Sequence, residues 1–219
     1  MVSSPELLFV EMAHSLGFHR ALLLGLMLCA HPPGEAHRSL TTAEATRDFL
    51  QKIPGHHGLA QAKRVAYYLK DGAASAHEAI LYMALTLPQR YGGYGLGGAD
   101  FNHEIAVSAE YRRASGRKSF FSDLYWEKEK LAVEYDSRTF HENDEALARD
   151  AKKQMALKAM GYHAESVNTA QLYDVNALRV CAEVFAKTLG RRLRITNPRF
   201  DARHDALLSL LPGRGNGYG

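Results

Sequence analysis

The residues richest in chemistry are three acids on two short segments that alternate apolar and polar. Asp123 lies in KSFFSDLYW (118 to 126), and Glu134 and Asp136 lie in KLAVEYD (130 to 136). Both segments read as strands by their period of two. Residues two apart on a strand share a face, so Glu134 and Asp136 project together, while Leu131, Val133 and Tyr135 form the opposite, core-facing row. The polar tetrad Glu127-Lys128-Glu129-Lys130 reads as a hairpin turn. A turn centred between Lys128 and Glu129 sets Trp126 opposite Leu131 and Asp123 opposite Glu134. Directly opposed residues have Cβ atoms ~4.5–5.5 Å apart, and like charges placed so are destabilising. Nothing within the hairpin compensates these carboxylates. A bound divalent cation or a raised pKa on one acid would do so. A solvated sheet face with Arg or Lys nearby is the plainer alternative.

The elements that must position this hairpin follow from local signals. HEIAVSA (103 to 109) precedes it as a third strand. A helix from Asp144 to Met160 follows, with Asn143 as cap and Gly161 at its end. Its stripe Leu147–Ala151–Met155 reads as apolar and puts Asp150 at the edge of the buried face, one turn from Gln154. A buried carboxylate needs a partner; Arg149, Lys153 or a backbone group would serve as well as a catalytic role. YHAESV (162 to 167) reads as a strand, and a helix capped by Asn168 or Thr169 runs to about Leu189. Ser75-Ala-His-Glu78 is a capping box opening the run AILYMALTL, so Glu78 either satisfies that cap or joins the acids. Residues 3 to 30 read as two helices, and short helices follow over 42 to 52 and 58 to 69. The simplest architecture is α+β with a helical N-terminal extension. Residues 191 to 219 read as a basic tail with a strand at RRLRIT and a short helix at ALLSLL.

The chain has 219 residues, 46% of them apolar and 23% charged, with a net charge of +3. These values exclude disorder, collagen and coiled coil. Cys29 and Cys181 make neither a disulfide framework nor a Cys-rich zinc site, which points to a reducing, cytoplasmic setting. The N-terminus lacks a basic n-region, and the run Ala21 to Ala30 is too short to span a bilayer, so no membrane association is expected. The small net charge hides segregation. Arg112, Arg113, Arg117 and Lys118 cluster without an acid, and residues 187 to 214 carry seven bases against two acids. Such clusters suit phosphate backbones, although the second would serve equally as a solubilising tail. Gly93-Tyr-Gly95-Leu-Gly97-Gly98 matches G-x-G-x-x-G, but a helix precedes it and a strand follows, so it reads as a flexible or DNA-apposed loop.

An acid on one strand, then Glu-x-[Lys or Asp] on its hairpin partner, resembles the PD-(D/E)XK nuclease superfamily. SDLYWEKEKLAVEYDSRTFH (122 to 141) and RDAKKQMALKAMGYHAESV (149 to 167) are most similar to its very-short-patch-repair branch. Asp123, Glu134, Asp136, His141, Arg149, Asp150, Gly161 and Tyr162 occupy that branch's motif positions, with Ser75 and Glu78 upstream. The match spans about residues 75 to 190. Residues 3 to 74 resemble, more loosely, the segment before this domain in type IV abortive-infection antitoxins.

The resemblance implies a restriction-endonuclease-like core, a mixed sheet flanked by helices, over 75 to 190. It implies Mg²⁺ or Mn²⁺ on Asp123 and Glu134, a backbone ligand from Tyr135, and Asp136 or His141 acting on the attacking water, with Glu78 and Asp150 supporting. DNA would lie along Arg112, Arg113, Arg117, Lys118, Arg149, Lys152 and Lys153. Asp136 stands where most of the superfamily has a Lys, and Lys152 or Lys153 is the candidate substitute. Ser137 replaces the Gly common after Glu-x-Asp. The expected function is metal-dependent phosphodiester hydrolysis in phage defence or repair. The alternative is a non-catalytic, antitoxin-like module that binds nucleic acid or a protein partner from a defence or toxin–antitoxin operon.

Overall fold

The computed structural model describes residues 3–137 and 144–214, with backbone alone over 144–147. Helix α1 (Pro5–Leu28) starts at an Ser4 cap whose side chain accepts from the Leu7 amide, with Pro5 as its first residue. It breaks at Gly17, where φ is +70°, so the run is two helical halves, as the sequence suggests. It is the one helix among the described residues long and apolar enough to cross a membrane. Phe9, Val10, Ala13, Leu22 and Leu26 lie in the protein core, the packing of a core helix. α2 (Ala43–Lys52), α3 (Leu59–Ala66) and α4 (Ala76–Thr86) follow. Every residue from Ala79 to Thr86 is buried, which explains why α4 is apolar on all sides.

A four-stranded sheet forms the centre: β1 (Asp100–Ala106), β2 (Ser119–Trp126), β3 (Leu131–Asp136) and β4 (His163–Asn168), in that order across the sheet. The first two pairings are antiparallel, and β3 with β4 is parallel. Trp126 pairs with Leu131, the register expected from the turn. The parallel pair is joined by α6 (Asp144–Ala159), the helical crossover that such a pair requires. α5 (Ala109–Ser115), which the alternation signal did not suggest, links β1 to β2 and packs against α6. α7 (Thr169–Tyr173) opens on an Asn168–Gln171 capping box, and Asp174 caps α8 (Val175–Thr188).

The sheet has a helix layer on each face. Leu124, Trp126, Leu131, Val133 and Val167 join α1, α4 and α8 in one large core. Ile105, Phe120, Tyr125 and Ala132 pack with Ala156 and Leu157 of α6 in a second, smaller one. The expected strand at RRLRIT does not form. Residues 191–197 run without secondary structure, held by Gln89, whose Oε1 accepts from the Thr196 and Asn197 amides at 2.9 and 3.2 Å. Alternation alone does not make a strand when a side chain, rather than a neighbouring strand, supplies the hydrogen bonds. Helix α9 (Phe200–Leu208) then returns Phe200, Leu207 and Leu208 to the large core. Its His204 is 1% exposed and is satisfied by the Gly92 carbonyl and the Tyr94 hydroxyl.

The buried face of α6 differs from the one its apolar stripe suggests. Met155 is 74% exposed and Ala151 is exposed, so the stripe through them is not the buried one. α6 instead buries Ala156 and Leu157, while Asp150, Lys153 and Gln154, on the same helix face as Leu157, line a cavity, Gln154 staying exposed. The inner face is largely polar because it lines a cavity, which is why apolar periodicity misplaced it.

Candidate functional site

The cavity lies between α6 and the sheet, beside the C-terminal ends of the parallel strands β3 and β4, the usual crevice of open α/β sheets. Its volume is about 310 Å³, and Asp123, Glu134, Asp136, Asp150, Lys153 and Gln154 contribute to its walls. Four acids expected from the sequence are therefore together. Glu134 and Asp136 share the β3 face of Ala132, which packs toward α6, while Leu131 and Val133 face the large core.

The backbone explains how Asp123 gets there. The β2–β3 ladder runs from Trp126–Leu131 to Leu124–Val133 and stops. The β1–β2 ladder pairs Phe101 with Leu124 and His103 with Ser122, but skips Asn102 and Asp123. Asn102 has φ +45°, a left-handed conformation that Asn tolerates better than most residues. Both ladders thus lapse at Asp123, and its side chain replaces the lost partner: Oδ2 accepts from the Tyr135 amide at 2.6 Å. Beneath it Ser122, fully buried, donates its hydroxyl to the Leu124 carbonyl at 2.8 Å and lies 3.3 Å from that of Val133. The hairpin opens where its carboxylates sit.

Burial pushes the Asp123 carboxyl up to about 7, and the Glu78 charge adds to this. The Tyr135 amide opposes the rise, Glu134 reinforces it, and Lys153 opposes it. A raised pKa on Asp123 is one way in which these crowded carboxylates are relieved. Lys153 supplies a further one. Its ammonium pairs with Glu134, donates to the Phe121 carbonyl at 3.2 Å and lies 5.5 Å from the Phe120 ring centroid. It therefore places an ammonium from α6 among the carboxylates of the hairpin.

Glu78 is a cap that also acts at a distance. Its carboxylate accepts from the Ser75 hydroxyl and the Ala74 amide, both at 2.9 Å, while Ser75 Oγ accepts from the Glu78 amide at 3.2 Å. It does not line the cavity, yet its charge bears on Asp123. His141, the expected base, lies outside the described residues, as does the Asn143 cap. Behind β3, Tyr135 stacks on His77 with ring centroids 5.2 Å apart, and its hydroxyl hydrogen-bonds Thr169 Oγ1 at 3.0 Å. These contacts anchor the strand end from the reverse side. Sequence reasoning missed them and Ser166, which lines the cavity from β4, because parallel pairing leaves no short-range signal.

A groove of about 730 Å³ adjoins the cavity and shares Phe121, Asp150 and Lys153 with it. Arg117, Arg149 and Lys152 line the rest of it, together with serines from α5 and β2. Four of the seven expected nucleic-acid contacts thus meet along one wall. Arg112 is committed elsewhere, donating from Nε to the Val107 carbonyl at 2.9 Å. Arg113 and Lys118 are exposed but do not line the groove.

Asp123 and Glu134 are the residues that would hold a divalent cation. They offer hard oxygen donors, and the elevated Asp123 pKa reports both burial and surplus negative charge. As the side chains stand, no three His, Cys, Asp or Glu among the described residues are grouped to enclose an ion. A cation at Asp123 would share Glu134 with Lys153 or displace its ammonium. In comparison with known proteins, the chain matches no family model, no curated protein and no solved structure.

Proposed function

We propose that the chain is a metal-dependent nuclease of restriction-endonuclease-like fold that hydrolyses phosphodiester bonds in DNA. The observation that carries this reading is the junction of the acidic cavity with the basic groove. Arg117, Arg149 and Lys152 hold phosphates flanking the scissile bond, which fixes the backbone without reading sequence. Lys153 meets the negative charge that grows on the phosphoryl oxygens. Asp123 and Glu134 would hold Mg²⁺ or Mn²⁺, which would supply Lewis acidity at the phosphate and a lowered pKa for a water. Asp136 orients the attacking water and accepts its proton, with His141 as the alternative acceptor. Glu78 and Asp150 act through the field they set up at Asp123 and along the cavity wall. The antiparallel hairpin, the α6 crossover to a parallel strand and the carboxylates at the hairpin's open end support the fold assignment.

The Lys153–Glu134 ion pair favours a second reading. A site that already neutralises Glu134 with its own ammonium suits a module that binds nucleic acid, or a partner protein of a defence or toxin–antitoxin operon, without cutting. Cleavage of a supercoiled plasmid in Mg²⁺ or Mn²⁺ separates the two. The nuclease reading expects nicking or linearisation by the wild type and none by Asp123→Ala or Glu134→Ala. Equal activity in all three would remove the cavity from the reaction.

A further inference from the structure

A second groove, of about 760 Å³, shares no lining residue with the acidic cavity or its basic neighbour. It runs between the C-terminal end of α3 and the turn after α4, and the glycine loop closes one side through Gly95, Gly97 and Gly98. Its lining residues carry four cations, Arg47, Arg64, Lys70 and Arg90, and no acid. Two of these are committed. Arg47 donates to the Ala66 and Leu69 carbonyls at 3.0 and 2.7 Å, and Lys70 pairs with Asp100. Arg64 and Arg90 are exposed at the surface.

Aromatic rings lie between these charges. Tyr67 is 76% exposed, an unusual position for so large a ring. It meets Tyr68 edge-on at 4.9 Å, and Tyr68 meets Tyr91 at 5.6 Å. Phe18 stacks flat against Tyr91 at 3.8 Å, which fixes that ring from behind. Arg90 lies 5.1 Å from the Tyr91 centroid and donates to the Tyr68 hydroxyl at 2.9 Å, so the guanidinium is held at the groove. An exposed ring, Tyr67, held against the half-buried Tyr68 and flanked by guanidinium groups is what an unpaired strand needs: a face for a base and cations for its phosphates. A duplex keeps its bases stacked inside and has no use for the rings.

We infer that the groove binds single-stranded nucleic acid, stacking a base on Tyr67 and holding adjacent phosphates with Arg64 and Arg90. The glycine loop, unsuited to nucleotide binding of the P-loop kind, then serves as a side-chain-free wall beside the strand. The inference stands apart from cleavage at the acidic cavity, because binding is read without a divalent ion.

The test is fluorescence anisotropy of the full chain in EDTA with a labelled oligothymidine of about 12 nucleotides. Tyr67→Ala and Arg90→Ala are each expected to weaken binding about tenfold, Tyr67→Trp to preserve it, and Lys63→Ala, on the exposed side of α3, to leave it unchanged. The substituted side chains are exposed, so the fold survives, and circular dichroism verifies this. Wild-type affinity in a Tyr67→Ala/Arg64→Ala/Arg90→Ala chain overturns the inference. So does a duplex of equal length that binds as tightly and with the same dependence on Tyr67, or polyglutamate that competes as well as unlabelled oligonucleotide.

Discussion

The two faces of the sheet solve different problems. One carries Leu124, Trp126, Leu131, Val133 and Val167 into a continuous apolar core shared with α1, α4, α8 and α9. The other has a small apolar cluster at one end and, at the other, a cavity walled by carboxylates and a lysine. The first face holds the fold. The second gives up packing for charge, and its polar groups stay in place through specific partners: Tyr135 for Asp123 and Lys153 for Glu134. Substitutions on the two faces should therefore differ in size and in sign.

The largest effect belongs to the apolar face. Trp126 is 2% exposed and donates from its indole to the Leu96 carbonyl at 2.7 Å. Trp126→Ala should cost ~3–5 kcal/mol through the lost side chain and the cavity left behind. A domain of ordinary stability has only ~5–15 kcal/mol to lose, so urea denaturation should show a large fall in midpoint or no cooperative transition.

A smaller loss is expected across the sheet. Lys153→Ala strips Glu134 of its ammonium and empties the Phe121 carbonyl. The side chains are 21% and 35% exposed, so solvent screens part of the effect. The cost should be about 1–2 kcal/mol in the same denaturation experiment. Lys153→Met, which keeps the stem beside Phe120, should restore some of the packing but none of the charge.

Asp123 reverses the sign. Its folded-state pKa of about 7 lies above the ordinary 3.8. Between those values the native state holds a proton that the unfolded chain releases, so stability falls as pH rises, and the penalty is complete above about pH 7. Asp123→Asn still offers the Tyr135 amide an acceptor and carries no charge. It should raise Tm by a few degrees at pH 8 without divalent ions, at ~2–4 °C per kcal/mol for a chain of this size, and change it little near pH 4. A lower Tm at pH 8 would mean that Asp123 contributes more as an ionised acceptor than its burial costs.

Much of this contrast was legible in the residues. The Glu127–Lys130 turn and the alternating strands set the hairpin register over Trp126–Leu131 to Leu124–Val133; Asp123 and Glu134 lie just past the last pair and line one cavity. Ser75 caps α4 as its spacing with Glu78 suggests, although the Glu78 carboxylate accepts from the Ala74 amide and the Ser75 hydroxyl rather than from the Ser75 amide. What was not legible depended on partners distant in sequence. The rotation of α6 could not be read from apolar periodicity, because its inner face is polar and Met155 faces solvent. The lapse of the β1–β2 ladder at Asp123 goes with the unusual conformation of Asn102, and no short motif announces that. The tyrosine groove joins residues from α2, α3, α4, the turn after it and the glycine loop, and only the packing of the N-terminal helices on α4 brings them together.

The two readings of the polar face part most cleanly on metal binding. Isothermal titration of Mn²⁺ into the full chain at pH 8 should show a saturable site that is lost in both Asp123→Ala and Glu134→Ala, with those variants folded by circular dichroism. A wild type that releases no binding heat and leaves Mn²⁺ free by electron paramagnetic resonance, or variants that bind as the wild type does, would contradict a cation site in the cavity and with it the nuclease assignment.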